Sequence, residues 1–155
     1  MTQDTAARIE LSVGAPIERA FSVFVERIGT WWPQSHRVKD DSADVVLEPK
    51  PGGRLYERAQ DGTECDWGTV LAIDPPQHLQ LSWEFTPTWQ PSGDPARASR
   101  VDVWFTSTGP DTTSVILEHS GLERHGDGWE ALRDSVSGDN GWSVILASYA
   151  ALADH

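Results

Sequence analysis

From Ala43 to Thr113 the chain is a succession of short extended segments separated by turn chemistry. This spacing leaves room for strands but not for long helices. Val45 to Glu48 ends at Pro49-Lys50-Pro51-Gly52-Gly53, Arg54 to Ala59 at Asp61-Gly62, and Glu64 to Ile73 at Asp74-Pro75-Pro76. In His78 to Phe85, residues Leu79, Leu81, Trp83 and Phe85 fall on one face, while His78, Gln80, Ser82 and Glu84 fall on the other. That is the alternation of a strand with one buried side. The pattern resumes at Val101, Val103 and Phe105, turns at Gly109-Pro110-Asp111, and ends in a strand where Val115, Leu117 and His119 share a face. Trp104 alternates with inward neighbours and is expected to face outward, as a contact surface or under a loop. Gly68, after Cys65-Asp66-Trp67, marks a bulge or a close packing contact, which leaves the sense of Val70 and Leu71 open.

Helical periods frame this run. Residues 8 to 13 alternate as a first strand, and Pro16 suits the start of a helix. Ile17, Ala20, Phe21, Phe24, Val25 and Ile28 then form one apolar stripe that Gly29 is expected to close. Thr30-Trp31-Trp32-Pro33 reads as a turn, because Pro33 holds Trp32 away from helical angles. Near the end, Trp129, Leu132 and Val136 suggest a short helix stopping near Gly138. Asp139 is expected to cap a second helix, with Trp142, Ile145, Leu146, Tyr149 and Ala153 on its apolar positions. Strand, helix, about six strands and helix in that order make an α+β chain whose antiparallel sheet buries one face against the helices. No repeat or linker divides it, so residues 1 to 155 are expected to form a single domain with its core over about 8 to 153.

Composition narrows the function classes. Twelve Lys and Arg stand against 24 Asp and Glu, a formal charge of −12, which argues against partners bound through their phosphates. Nucleic acid is therefore not expected. The longest apolar stretch, Trp142 to Ala153, is well short of the roughly 20 residues a membrane-spanning helix needs, so no membrane insertion is expected. With no signal peptide evident and only one cysteine, Cys65, the chain reads as cytoplasmic. No cofactor motif or metal-ligand spacing occurs, and neither a cofactor nor a metal is expected. Eight Trp in a chain that is 38% hydrophobic put large amphipathic rings where aliphatic side chains usually fill space.

Many short matches occur in order: Pro16-Ile17 through Ala20-Phe21, Trp31-Trp32-Pro33, Leu47-Glu48-Pro49, Gly52-Gly53-Arg54, Trp67-Gly68-Thr69-Val70-Leu71, Pro75-Pro76, Leu81-Ser82-Trp83, Val101-Asp102-Val103, Leu117-Glu118-His119 and Gly141-Trp142. In these the chain resembles the SRPBCC (START-like) superfamily, in its bacterial branch named after the activator of the heat-shock-protein-90 ATPase. The resemblance implies a helix-grip fold, a curved antiparallel sheet of about six to seven strands wrapped around a long C-terminal helix, with a cavity between them. Its members include lipid and polyketide binders, cyclases and co-chaperone domains.

In such a cavity the ligand-binding residues would be Trp32, Trp67, Leu81, Trp83, Phe85, Val103, Phe105, Leu117, His119, Trp142, Leu146 and Tyr149, with His119 and Tyr149 orienting a small hydrophobic or aromatic ligand. The competing reading is that these side chains simply fill the core. Trp31, Trp32 and Trp129 are placed where they could frame the cavity mouth, with His36 beside them. An enzymatic alternative, cyclase or hydrolase, would use His119 as general base; a nucleophilic Cys65-His119 pair is a further variant. Glu118 cannot join His119, since adjacent strand residues face opposite ways. An interaction module that contacts a chaperone, or a homodimer through Trp104 and Trp89, completes the set.

Overall fold

The computed structural model describes residues 5–36, 42–84, 98–125, 128–138 and 141–154. Phe85, Trp89, Asp139 and all but the end of the Pro-rich 86–99 segment fall outside these residues.

The described strands β1 (Thr5–Val13), β2 (Ser42–Leu47), β3 (Arg54–Ala59), β4 (Glu64–Asp74), β5 (His78–Trp83), β6 (Ser99–Gly109) and β7 (Thr112–Ser120) form one curled sheet in the order β1-β7-β6-β5-β4-β3-β2. Every pairing is antiparallel. From β2 to β7 each strand pairs with the next. The first strand closes on the last. The helices α1 (Ile17–Glu26) and α2 (Ile28–Trp31) carry the chain from β1 at one edge to β2 at the other. The helix-grip architecture expected of the sequence is the observed one, with α3 (Trp129–Ser137) and the C-terminal α4 (Trp142–Ala153) completing it.

Alternation in the strands becomes layered packing through register. Leu79, Val103 and Leu117 lie side by side across β5, β6 and β7, as do Leu81, Val101 and His119. All six are buried. On α4 the buried positions are Trp142, Ile145, Leu146, Tyr149 and Ala153, the stripe expected from its period. The Tyr149 hydroxyl donates to the Ala20 carbonyl at 2.7 Å, which ties α4 to α1.

Several local expectations are corrected. The first helix stops at Glu26, before Gly29, and Gly29 lies inside α2. A Cβ there would stand 2.6 Å from the Val45 carbonyl oxygen, so this glycine serves the close approach of α2 to β2 rather than a helix end. Trp31 completes α2 instead of belonging to a turn, and Trp32 leaves the helix at φ −65°, ψ 120°, the extended geometry a following proline demands. The N-cap of α4 is Gly141, not Asp139. The fifth strand ends at Trp83, two residues short of Phe85.

Gly68 proves to be both a bulge and a contact. Leu55 pairs with Gly68 and Tyr56 with Asp66, so Trp67 is the extra residue. A Cβ on Gly68 would stand 1.9 Å from the Ser82 carbonyl oxygen on β5. The bulge also settles the neighbouring orientations, with Val70 buried and Leu71 exposed. Gly68→Ala is expected to lower stability by about 2 kcal/mol, since two paired backbones must part to admit the methyl. Urea denaturation measures it, and an unchanged midpoint would mean that β4 and β5 separate here without cost.

Candidate functional site

The bulge at Trp67, the alternation of β5 and the first turn of α4 aim three indoles into one region, and the pre-proline bend adds Trp32. The Trp32 ring centroid lies 5.0 Å from that of Trp67, 6.4 Å from Trp83 and 5.9 Å from Trp142. Trp67 and Trp83 are 6.3 Å apart, and Trp83 and Trp142 5.3 Å. These spacings are those of favourable offset and edge-to-face ring pairs. The ring system continues through Trp31 to Phe24 and Tyr149, and from Phe24 to Phe105 and Phe21. The structure thus brings together Trp32, Trp67, Trp83, His119 and Trp142. Leu81, Val103, Phe105, Leu117, Leu146 and Tyr149 are buried in the same core.

Trp31 and Trp32 lie inside this cluster, 2% and 4% exposed, and not at a rim. Their indole N–H groups are spent on backbone: Trp31 donates to the Val23 carbonyl at 3.0 Å and Trp32 to that of His36 at 3.1 Å. Trp129 is half-buried, with the Arg133 guanidinium 5.2 Å from its ring centroid. Trp104 faces outward as expected, 36% exposed, with the His78 ring stacked at 5.5 Å. Tyr149 is buried, and its hydroxyl serves Ala20; burial, and secondarily Asp154, raises its proton affinity.

One polar group interrupts the apolar cluster at the β6–β7 end. His119 Nδ1 accepts the indole N–H of Trp142 at 3.0 Å, and its Nε2 lies 2.7 Å from the Ser99 hydroxyl. The same hydroxyl lies 2.7 Å from Nε2 of His125, which ends the 3-10 turn Leu122–His125. All three residues are buried. Burial, and then the adjacent His125, pushes the His119 imidazole down from its ordinary 6.5 to about 3, so His119 is neutral at pH 7. With both ring nitrogens bonded and its proton affinity depressed, His119 is a poor general base toward Cys65 or toward a ligand.

Sequence reasoning missed Ser99 and His125. Ser99 has the parity of Val101, Val103 and Phe105, so extending that alternation by one step would have found it. His125 carries no periodic signal, because a 3-10 turn places it. Glu57 was also missed. It is buried on β3, paired across the strands with Cys65 and Val45, on the parity of Leu55 and Ala59. Among the described residues, no group of three His, Cys, Asp or Glu could hold a metal ion, and no helix is long and apolar enough to cross a membrane.

Comparison with known proteins adds the following. The family described as "Activator of Hsp90 ATPase homolog 1-like protein" matches residues 14–154. No curated protein matches the chain. Among solved structures, "an anthrahydroquino-Gama-pyrone synthase Txn09 complexed with SUM" is 38% identical, with 97% of this chain and 99% of that one covered and a TM-score of 0.68. The self-sacrificing resistance protein CalC from Micromonospora echinospora is 29% identical over 96% of this chain and 93% of its own, with a TM-score of 0.66. Protein NE0264 from Nitrosomonas europaea shares the fold at 15% identity and a TM-score of 0.62, with 99% and 97% covered.

Proposed function

Since the chain belongs to the Activator of Hsp90 ATPase homolog 1-like family, we propose that it is a cytoplasmic small-molecule-binding protein that holds a planar polycyclic aromatic ligand between the sheet and α4. The observation that carries this reading is the four-indole cluster of Trp32, Trp67, Trp83 and Trp142, with one polar group, Ser99-His119-His125, at its end. Ligand sites of this kind are mostly apolar with a few placed polar groups. The relative at 38% identity, described as an anthrahydroquino-Gama-pyrone synthase, supports a fused-ring aromatic molecule as the ligand class. Because the indoles pack against one another, the ligand enters by parting them, so binding requires an opening of the cluster.

Titration with 2-naphthol, anthraquinone and a fatty acid, followed by Trp fluorescence and thermal melting, tests this. The aromatics are expected to quench saturably and raise Tm, and the fatty acid to do neither. Observed binding rates should level off at high ligand, since the opening step then limits. A silent aromatic panel would sink the proposal.

The second reading is a cyclase-like enzyme of the same fold, favoured by the synthase described for that relative. Given how His119 is engaged, His125 is the imidazole of this network that would serve as its acid-base group. For a homodimer or a chaperone contact, the surface on offer is the outer sheet face around Trp104.

A further inference from the structure

The Ser99 network has a direction, and the direction decides what a ligand can offer it. An indole N–H can only donate, so Trp142 makes His119 Nδ1 an acceptor. The neutral His119 ring therefore carries its proton on Nε2 and donates it to the Ser99 oxygen. The Ser99 hydroxyl has one proton, and among the described residues its other side-chain partner is Nε2 of His125, so with His119 donating to it the hydroxyl is assigned as donor there. The chain runs from Trp142 to His119 to Ser99 to His125. Trp142, His119 and Ser99 have then spent every side-chain donor they own. What remains is the second lone pair of the Ser99 oxygen.

We propose that Ser99 is a specificity-determining residue that accepts a hydrogen bond from the ligand, so that the site selects aromatic molecules bearing a free phenolic or enolic hydroxyl over their methyl ethers and ketones. The inference rests on the aromatic-ligand reading above. It is placed by the cluster itself: Ser99 pairs with Trp83 across β5 and β6, and the His119 ring lies 5.7 Å from that of Trp83 and 5.9 Å from that of Trp142. A ligand seated among these rings meets this oxygen at its polar end. A methyl ether presents no donor and leaves its own oxygen facing a buried acceptor. Buried polar pairing of this kind discriminates more strongly than an added methyl group in an apolar pocket.

The test compares 2-naphthol, 2-methoxynaphthalene and 2-acetonaphthone by fluorescence titration at pH 7. The naphthol is expected to bind about tenfold tighter than either analogue, as one hydrogen bond made in a dry site against one withheld. In Ser99→Ala the preference should fall below about twofold, and in Ser99→Thr, which keeps the hydroxyl, it should persist. Should Ser99→Ala not fold, the wild-type selectivity and the threonine variant still decide. Independently, 15N NMR of the histidine rings should show a bare Nδ1 and a protonated Nε2 at His119. Equal or tighter binding of the ether or ketone overturns the proposal while leaving aromatic binding intact, and so does the opposite His119 tautomer. If no compound binds, the aromatic-ligand reading fails and this one with it.

Discussion

Replacing Trp142 by alanine is expected to lower stability by about 4 kcal/mol, the middle of the range for deleting a packed indole. The ring is 2% exposed and lies 5.3 Å from Trp83 and 5.9 Å from Trp32. Its loss therefore empties a space that three aromatic neighbours on separate elements cannot jointly fill. The deletion also strips His119 Nδ1 of its donor, leaving a buried acceptor unmet. At roughly 3 °C per kcal/mol for a chain of this length, the melting temperature should fall by roughly 12 °C. Trp104→Ala is the control: its ring is on the outer face and stacks on His78 alone among the aromatic contacts described, so less than about 1 kcal/mol should go. Thermal or urea denaturation reads both. A loss of less than about 1 kcal/mol at Trp142 would mean that the indole borders open space instead of a filled core.

Acid should unfold this protein through His119. The group's proton affinity falls from 6.5 to about 3 on folding, so the unfolded chain binds the proton more readily. The stability that depends on the neutral ring is complete above pH 6.5 and is lost as pH falls toward 3. Between pH 7.5 and pH 5 the loss is about 2 kcal/mol, from a slope near 1.4 kcal/mol per pH unit below 6.5. His119→Gln should be less stable at pH 7.5, because Gln reproduces the spacing of two ring nitrogens poorly, yet its profile should be flatter by that same amount. Urea unfolding of both proteins across this range provides the difference, in which other titrating groups cancel. Parallel profiles would show that His119 keeps an ordinary proton affinity in the fold.

The strands, the helices and their buried faces were legible because they are written in local periods. Leu79, Leu81 and Trp83 alternate over five residues, and one pleated strand suffices to place them on a common side. The α4 stripe from Trp142 to Ala153 is equally local. The cap at Asp139 and the stop at Gly29 were misread, since a glycine serves either to end a helix or to admit a neighbouring backbone. Only β2 beside α2 shows which applies at Gly29.

The site was legible by half. Aromatic and imidazole side chains on inward positions could be named from alternation, but a list of inward residues does not say which of them touch. Trp32 meets Trp67, Trp83 and Trp142 because α1 and α2 carry the chain from β1 toward β2, and no spacing along the chain encodes that. His119 drew attention as a lone inward imidazole. Its meaning changed once Ser99, Trp142 and His125 were found around it, contributed by β6, α4 and a 3-10 turn.

By itself the sequence determined the α+β order of elements, an antiparallel sheet burying one face against helices, and the placement of indoles on buried faces. It did so because hydrophobic burial acts on every segment with a period the backbone fixes. Only the tertiary structure decided that the rings pack as one cluster, that His119 is bonded on both nitrogens, and that Ser99 lies between His119 and His125. Hydrogen bonds depend on distances of a few tenths of an ångström between groups far apart in the chain, and register, bulge and helix crossing set those distances together.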